Sequence, residues 1–272
     1  MQLLKDLIDI HAPSGSEKPL KDFILNYINQ NAKNWKVQPH IIQDGIQDCL
    51  VLIFGEPKTA VYAHLDSIGF MVAYNTELSK IGGPDTSGNW HLIGKDSKGT
   101  VEGTLITKEE GLHFQTNRKV ERGTTLTFKP DYEETENYIQ SPYIDNRLGV
   151  HTALKLCETI ENGAIVFSTF EEHRGGSAQF LAGLLFHNYG ITQARISDIT
   201  WVTEGVAHGE GVAISLKDST VPRLVFTDRV VEIAKESGIP YQIEIEHAGG
   251  SDGTALQMSP YPIDWCFVGA AE

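Results

Sequence analysis

Cysteine is scarce in this chain. Cys49, Cys157 and Cys266 are the only three, odd in number and far apart. That excludes a disulfide framework and a Cys-type zinc site. Each lies in an apolar stretch and reads as a small buried hydrophobe. Positive charge is also in deficit. Lys and Arg total 22 against 36 Asp and Glu, a formal net charge of −14. Such a surface repels nucleic acid and anionic membranes, so neither is expected as a partner. No apolar run reaches the length of a membrane span. The opening residues Met1 to Leu7 carry early charges instead of the apolar region of a signal peptide. A cytoplasmic protein is the expectation.

What is present is a 272-residue chain with 40% hydrophobic residues, enough for one large domain or a domain with an insertion. Leu3, Leu4, Leu7 and Ile8 form the apolar face of a short first helix. Ser16 suits the cap of a second, with Pro19 in its first turn and Leu20, Phe23, Ile24, Tyr27 and Ile28 at helical spacing. Strand patterns follow at 38–44, 49–54 and 59–63. From residue 70 to 140 the pattern changes to short strand-like runs divided by Gly-Gly-Pro, Ser-Gly-Asn, Lys-Gly and Arg-Gly turns. Strands and helices then alternate to the end of the chain. The reading is an α/β fold, a mixed, largely parallel sheet flanked by helices, with a small all-β inserted domain. Residues 1–69 and 141–272 make the discontinuous main domain and 70–140 the insertion.

The chemistry sits where these elements end. The strand Ala164 to Phe170 runs into Glu171 and Glu172. Adjacent acids at a strand end also occur as solvated loop charges. His64 closes the strand 59–63, and Asp66 lies on the same side of an extended chain, placed to accept one ring N–H and fix the tautomer. A surface His beside a loop Asp has the same spacing. Asp145 opens a helix, where it suits an N-cap as well as a bridging ligand. Ile199 to Thr203 reads as a strand ending in Glu204, with Asp198 the rival, expected at the opposite end of that strand. Taken together, His64, Asp145, Glu172 and Glu204 are residue types that bind divalent cations, at positions that converge on one sheet edge. Glu171 is left over as a base for hydrolysis.

These motifs resemble the M42 family of dinuclear metallo-aminopeptidases, in the clan of co-catalytic zinc exopeptidases. The resemblance runs over nearly the whole chain. It is carried by the Leu-Leu-x-x-Leu opening and the Pro13-Ser14-Gly15-Ser16-Glu17 turn, and by Ala63-His64-Leu65-Asp66-Ser67-Ile68-Gly69. Asp145-Asn146-Arg147-Leu148-Gly149, Phe170-Glu171-Glu172 and Gly249-Gly250-Ser251-Asp252 complete it. It implies two divalent metal ions per subunit, zinc foremost, with cobalt or manganese as alternatives. His64 and Glu172 would each hold one ion, Asp145 would bridge, and Asp66 would orient His64. Glu171 would deprotonate the attacking water. Glu204 takes the position where the family has Asp. Short peptides are the implied substrates, and the inserted β domain is the implied contact of a homo-oligomer. The family's last ligand is a His beyond the final strand; Glu272 stands where that segment would begin, so either the sequence is shortened there, which is the expectation, or the protein has lost that ligand. Two alternatives share the motifs: a metallo-deacylase of N-acyl amino acids, and a non-catalytic scaffold that keeps the fold.

Overall fold

The computed structural model describes residues 1–272. Its organising element is a mixed sheet whose middle is parallel. In spatial order its strands are His40–Ile42, Leu50–Phe54, Gly163–Ser168, Thr59–His64, Gln193–Ile196, Asp264–Ala271, Val212–Lys217 and Tyr241–Ile245. Gly163–Ser168, Thr59–His64, Gln193–Ile196 and Asp264–Ala271 run parallel to one another. Leu50–Phe54 joins antiparallel to Gly163–Ser168, and Val212–Lys217 antiparallel to Asp264–Ala271. The short strand Ile199–Thr200 pairs with the end of Asp264–Ala271.

The central strands are apolar on both faces because helices cover both. In Leu50–Phe54 every residue is buried. Leu50, Leu52 and Phe54 pack with Leu20, Ile24, Val150 and Leu154 from the helices Lys18–Asn31 and Ile144–Leu156. Val51 and Ile53 point the other way, toward Leu181, Leu185 and Leu256 of Ala178–Tyr189 and Asp252–Gln257. Burying each such side chain contributes about 1.5–3 kcal/mol relative to exposure. All three cysteines are free and buried, as their apolar contexts imply. No helix is long and apolar enough to cross a membrane.

A second sheet leaves the first just past its chemical edge. Six antiparallel strands lie in the order Leu78–Ile81, Gly69–Val72, Thr125–Phe128, His91–Asp96, Gly99–Lys108 and Gly111–Gln115. They enclose their own core of Phe70, Val72, Leu92, Val101, Leu105, Phe114 and Leu126. A small hairpin, Glu133–Glu134 with Ile139–Gln140, leads back to the main sheet.

Three local expectations are revised. Ser16 does not cap the second helix: Glu17 holds the N-cap position and makes no side-chain cap. Asp145 does not cap its helix either; the N-cap is Tyr143, and Asp145 lies in the first turn with non-helical backbone angles. A strand does start at Ile199, but it ends at Thr200 and does not reach Glu204; Asp198, just ahead of it, also stands beyond the carboxyl end of Gln193–Ile196.

Candidate metal centre

Parallel strands bring their carboxyl ends to one edge, where open α/β sheets bind ligands. His64 ends its strand in register with Ser168, and the turn holding Glu171 and Glu172 follows. Asp198 lies two residues past Ile196 on the other side of His64. The start of Ile144–Leu156 meets this edge through Asn146, whose Nδ2 donates to the Ser197 carbonyl at 2.9 Å and whose Oδ1 accepts from Gly149 N at 2.9 Å. A Cβ on Gly149 would overlap both Asn146 Oδ1 and the Ser197 carbonyl, so only glycine allows this approach. Buried Arg147 donates to the carbonyls of Leu7, Leu65 and Ile10, tying the first helix to the loop that follows His64.

The result is a tight acidic cluster around one imidazole. His64 Nε2 lies 3.0 Å from Asp145 Oδ1, 3.7 Å from Asp198 Oδ1 and 3.9 Å from Glu171 Oε2. The ligand atoms of His64, Asp145 and Asp198 all fall within 4.8 Å of one another, a spacing suited to one cation. On the other side of the ring, Nδ1 is 3.1 Å from the Asp66 carbonyl oxygen and 3.5 Å from its carboxylate. With Nδ1–H donating to Asp66, the Nε2 lone pair faces Asp145 and Asp198, the tautomer a metal requires.

The electrostatics fit a missing positive charge. Burial, followed by the neighbouring acids Asp198, Asp252 and Asp145, pushes the Glu171 carboxyl well above its usual range despite His64. Burial and then Asp145 raise Glu172. Burial raises Asp198, with Asp145 adding to it. Burial works against the His64 imidazolium, but Asp198, Asp145 and Asp66 outweigh it and hold that ring well above its usual pKa. Buried Arg147, whose charge acts on Asp66, Asp145 and Glu172, spends its donors on backbone carbonyls. Carboxylates this crowded relieve their repulsion either by protonation or by a bound cation, so the residues present fit a divalent metal ion.

Asp66 is more than a partner for His64. Its Oδ1 accepts from Glu171 N at 3.0 Å, and its Oδ2 from Glu172 N at 3.0 Å and Ser14 Oγ at 2.6 Å. Burial opposes its charge, but His64, Ser14 and the amide of Glu171 outweigh that and lower its pKa. One carboxylate thus joins the His64 loop to the turn of paired acids.

Of the residues expected from sequence, the structure gathers His64, Asp66, Asp145, Glu171 and Glu172 at this edge. Glu204 it does not: that side chain is exposed on a loop and absent from the cluster, and Asp198 occupies the place beside His64. Sequence reasoning also missed Asp252, fully buried beneath the site, which accepts a hydrogen bond from Ser168 Oγ and is pushed by burial to about 6. Its signal was the Gly-Gly-Ser-Asp turn, quoted above without a role.

An α/β fold with an acid cluster on the carboxyl edge of its parallel strands is the layout of a ligand site suited to a cation. The comparisons give the family. The model of the M42 glutamyl aminopeptidases matches residues 114–271, more than half of the sequence, and the chain belongs to the M42 peptidase family. A protein of Acetivibrio thermocellus named "Putative aminopeptidase" is 26% identical over 94% of this chain and 86% of its own length. An aminopeptidase of the archaeon Desulfurococcus kamchatkensis superposes with a TM-score of 0.86 at 20% identity, covering 99% of this chain and 86% of that one. The TET1 peptidase of Pyrococcus horikoshii, which assembles into a tetrahedron or a large octahedral shell, gives a TM-score of 0.80 at 21% identity, over 99% and 90% of the two chains. The family makes the protein a peptide hydrolase of the aminopeptidase type.

Proposed function

We propose that this protein releases N-terminal residues from short peptides, using two divalent cations, zinc foremost, and Glu171 as general base. The observation that carries the reading is the joining of His64, Asp145 and Asp198 into one ligand cluster with Glu171 beside it but unneeded as a ligand. His64 and Asp198 would hold one cation, Glu172 the other, and Asp145 would serve both through its two oxygens. Bound there, the cations supply Lewis-acid polarisation of the scissile carbonyl and lower the pKa of the attacking water.

The chain's own groups do the rest. Glu171 takes the proton from that water and returns it to the leaving amine nitrogen. Asp66 fixes the His64 ring from one side and the Glu171 amide from the other, so ligand and base keep their relative places. The test is the metal-loaded protein on aminoacyl-anilides, free short peptides, the same peptides N-acetylated, and N-acyl amino acids. Cleavage should require a free amino terminus. Absence of turnover on every aminoacyl substrate, or turnover of N-acyl amino acids alone, would overturn the reading.

Self-association through the second sheet belongs to the same proposal. Met71, Tyr74 and Trp90 expose large apolar surface there, which a second copy of this chain would cover. Sedimentation should show an oligomer that Tyr74→Asp weakens; a monomer at micromolar concentration would sink it.

A further inference from the structure

Glu17 is one of the most buried charged residues in the molecule, and no step above uses it. As the residue before the helix Lys18–Asn31 it could cap that helix, yet its side chain turns away. Its Oε1 accepts from Phe170 N at 3.2 Å and from Gly15 N at 3.0 Å. Phe170 has a left-handed backbone (φ 63°), a conformation that costs a non-glycine residue free energy and persists where its surroundings hold it. The next amides, Glu171 N and Glu172 N, donate to Asp66, and Asp66 Oδ2 also receives Ser14 Oγ. Consecutive amides from Phe170 to Glu172 are therefore all held by buried carboxylates. Both carboxylates are fixed by the 13–17 turn, Asp66 through Ser14 and Glu17 as part of the turn itself.

We propose that the Ser14–Glu17 turn is a positioning clamp for the general base, with Glu17 its main member and Ser14 its second. Glu17 touches neither substrate nor the metal ligands. It acts through the Phe170 amide, which sets where the following Glu171 backbone enters the site. The paired acids hang from a turn with no strand partner of its own, so their aim depends on those acceptors. The inference rests on Glu171 being the base, as argued above.

The test compares Glu17→Leu, which keeps bulk and loses the acceptor, with Glu17→Gln, which keeps an oxygen at the same reach. Ser14→Ala and Ser14→Thr form the parallel pair, and Glu171→Gln is the control. Glu17→Leu should lower kcat about 10- to 100-fold, the cost of a base displaced by roughly an ångström. KM and bound metal per chain should stay unchanged, and the acid limb of the kcat–pH profile should move. Glu17→Gln should restore kcat to within about threefold, because the contact to Phe170 N needs an acceptor and not a charge. A purely structural role would lower Tm and leave kcat per folded molecule alone. Wild-type kcat in Glu17→Leu, or an equal loss in Glu17→Gln, would overturn the clamp. If Glu17→Leu does not fold, the Ser14 pair decides: Ser14→Ala must lower kcat and Ser14→Thr restore it, and wild-type kcat in Ser14→Ala overturns the proposal. The control separates the two readings. A dead Glu171→Gln with a fully active Glu17→Leu refutes only the clamp, whereas an active Glu171→Gln removes the base and the clamp with it.

Discussion

Two aspartates, one at a strand end in the second sheet and one just past a strand of the main sheet, meet opposite fates. Asp96 in the second sheet is gripped by Arg118, whose Nη1 and Nη2 donate to its two oxygens at 2.7 and 2.9 Å. That fork, helped by the amides of Lys98 and Glu121, brings its pKa down to about 2. Asp198, at the edge of the main sheet, has the adjoining Ile199 amide at 2.9 Å, the His64 ring, and further acids around it, and burial pushes it the other way. The chain neutralises the first from within and leaves the second short of positive charge. An acid cluster that the protein does not balance, at the edge where its parallel strands end, suits the cation proposed above.

The contrast can be broken most sharply at the base. Glu171→Gln should lower kcat by about 10²- to 10⁴-fold, the usual worth of a general base, while metal per chain measured by atomic emission stays at the wild-type value. Retained turnover would take the base role away from Glu171. Next comes the proposed ligand. Asp198→Ala should weaken metal affinity by at least about 10- to 100-fold in a competition titration with a chelating dye, since even outer-shell partners of a metal are worth that much.

A pH series should separate the sheets further. Burial and the neighbouring acids raise Glu172 to about 8 and Asp198 to about 7 in the cation-free protein. Their unfolded values lie near 4, so between about pH 4 and 8 the folded state holds protons that the unfolded chain has released. Stability therefore falls as pH rises through that window. His64, with its pKa also raised in the fold, adds in the same direction. Asp96 has the opposite sign: its stabilisation is present above about pH 4 and is lost as pH falls toward about 2. Chelator-treated protein should melt at lower temperature at pH 8 than at pH 5. Adding zinc at 100 times its dissociation constant should return about 2.7 kcal/mol, most visibly at the higher pH. A flat Tm across that range without metal would contradict the charge imbalance.

Smaller effects complete the series. Arg118→Met should lower Tm and leave metal content and kcat unchanged, because it disturbs only the self-neutralised sheet. Glu204→Ala should change neither metal affinity nor kcat; a clear loss in either would return that residue to the ligand set.

Much of the site could be read from the chain because each motif marks its own strand end. His64 follows an apolar run, as do Glu171 and Glu172, and Asp145 announces a helix start. Asp198 could not be read this way. Its strand is Gln-Ala-Arg-Ile, short and half polar, and only Ala194 and Ile196 are buried. Arg195 is accommodated by stacking its guanidinium 4.2 Å from the Phe226 ring centroid, a contact across 31 residues of sequence that no local pattern shows. The more apolar run just after it, Ile199 to Val202, drew the strand assignment and carried the ligand to Glu204. The second sheet was legible from its turns, whereas Glu17 entered the reading only as the last residue of the Pro13–Glu17 turn.

The glycines that let the helix start and the last strand close on the 197–198 segment set a tolerance. A Cβ on Gly149 would strike the Ser197 carbonyl, and one on Gly269 would strike the Asp198 carbonyl. Backbone thus meets backbone on both sides of the segment bearing Asp198, and the Asn146 side chain is bonded to the Ser197 carbonyl. The reach of the acid at 198 is therefore gauged chiefly by main-chain spacing. Asp198→Glu would drive its carboxylate forward by one methylene with no retreat available, while the same lengthening on a loop such as the one bearing Glu204 would pass unnoticed.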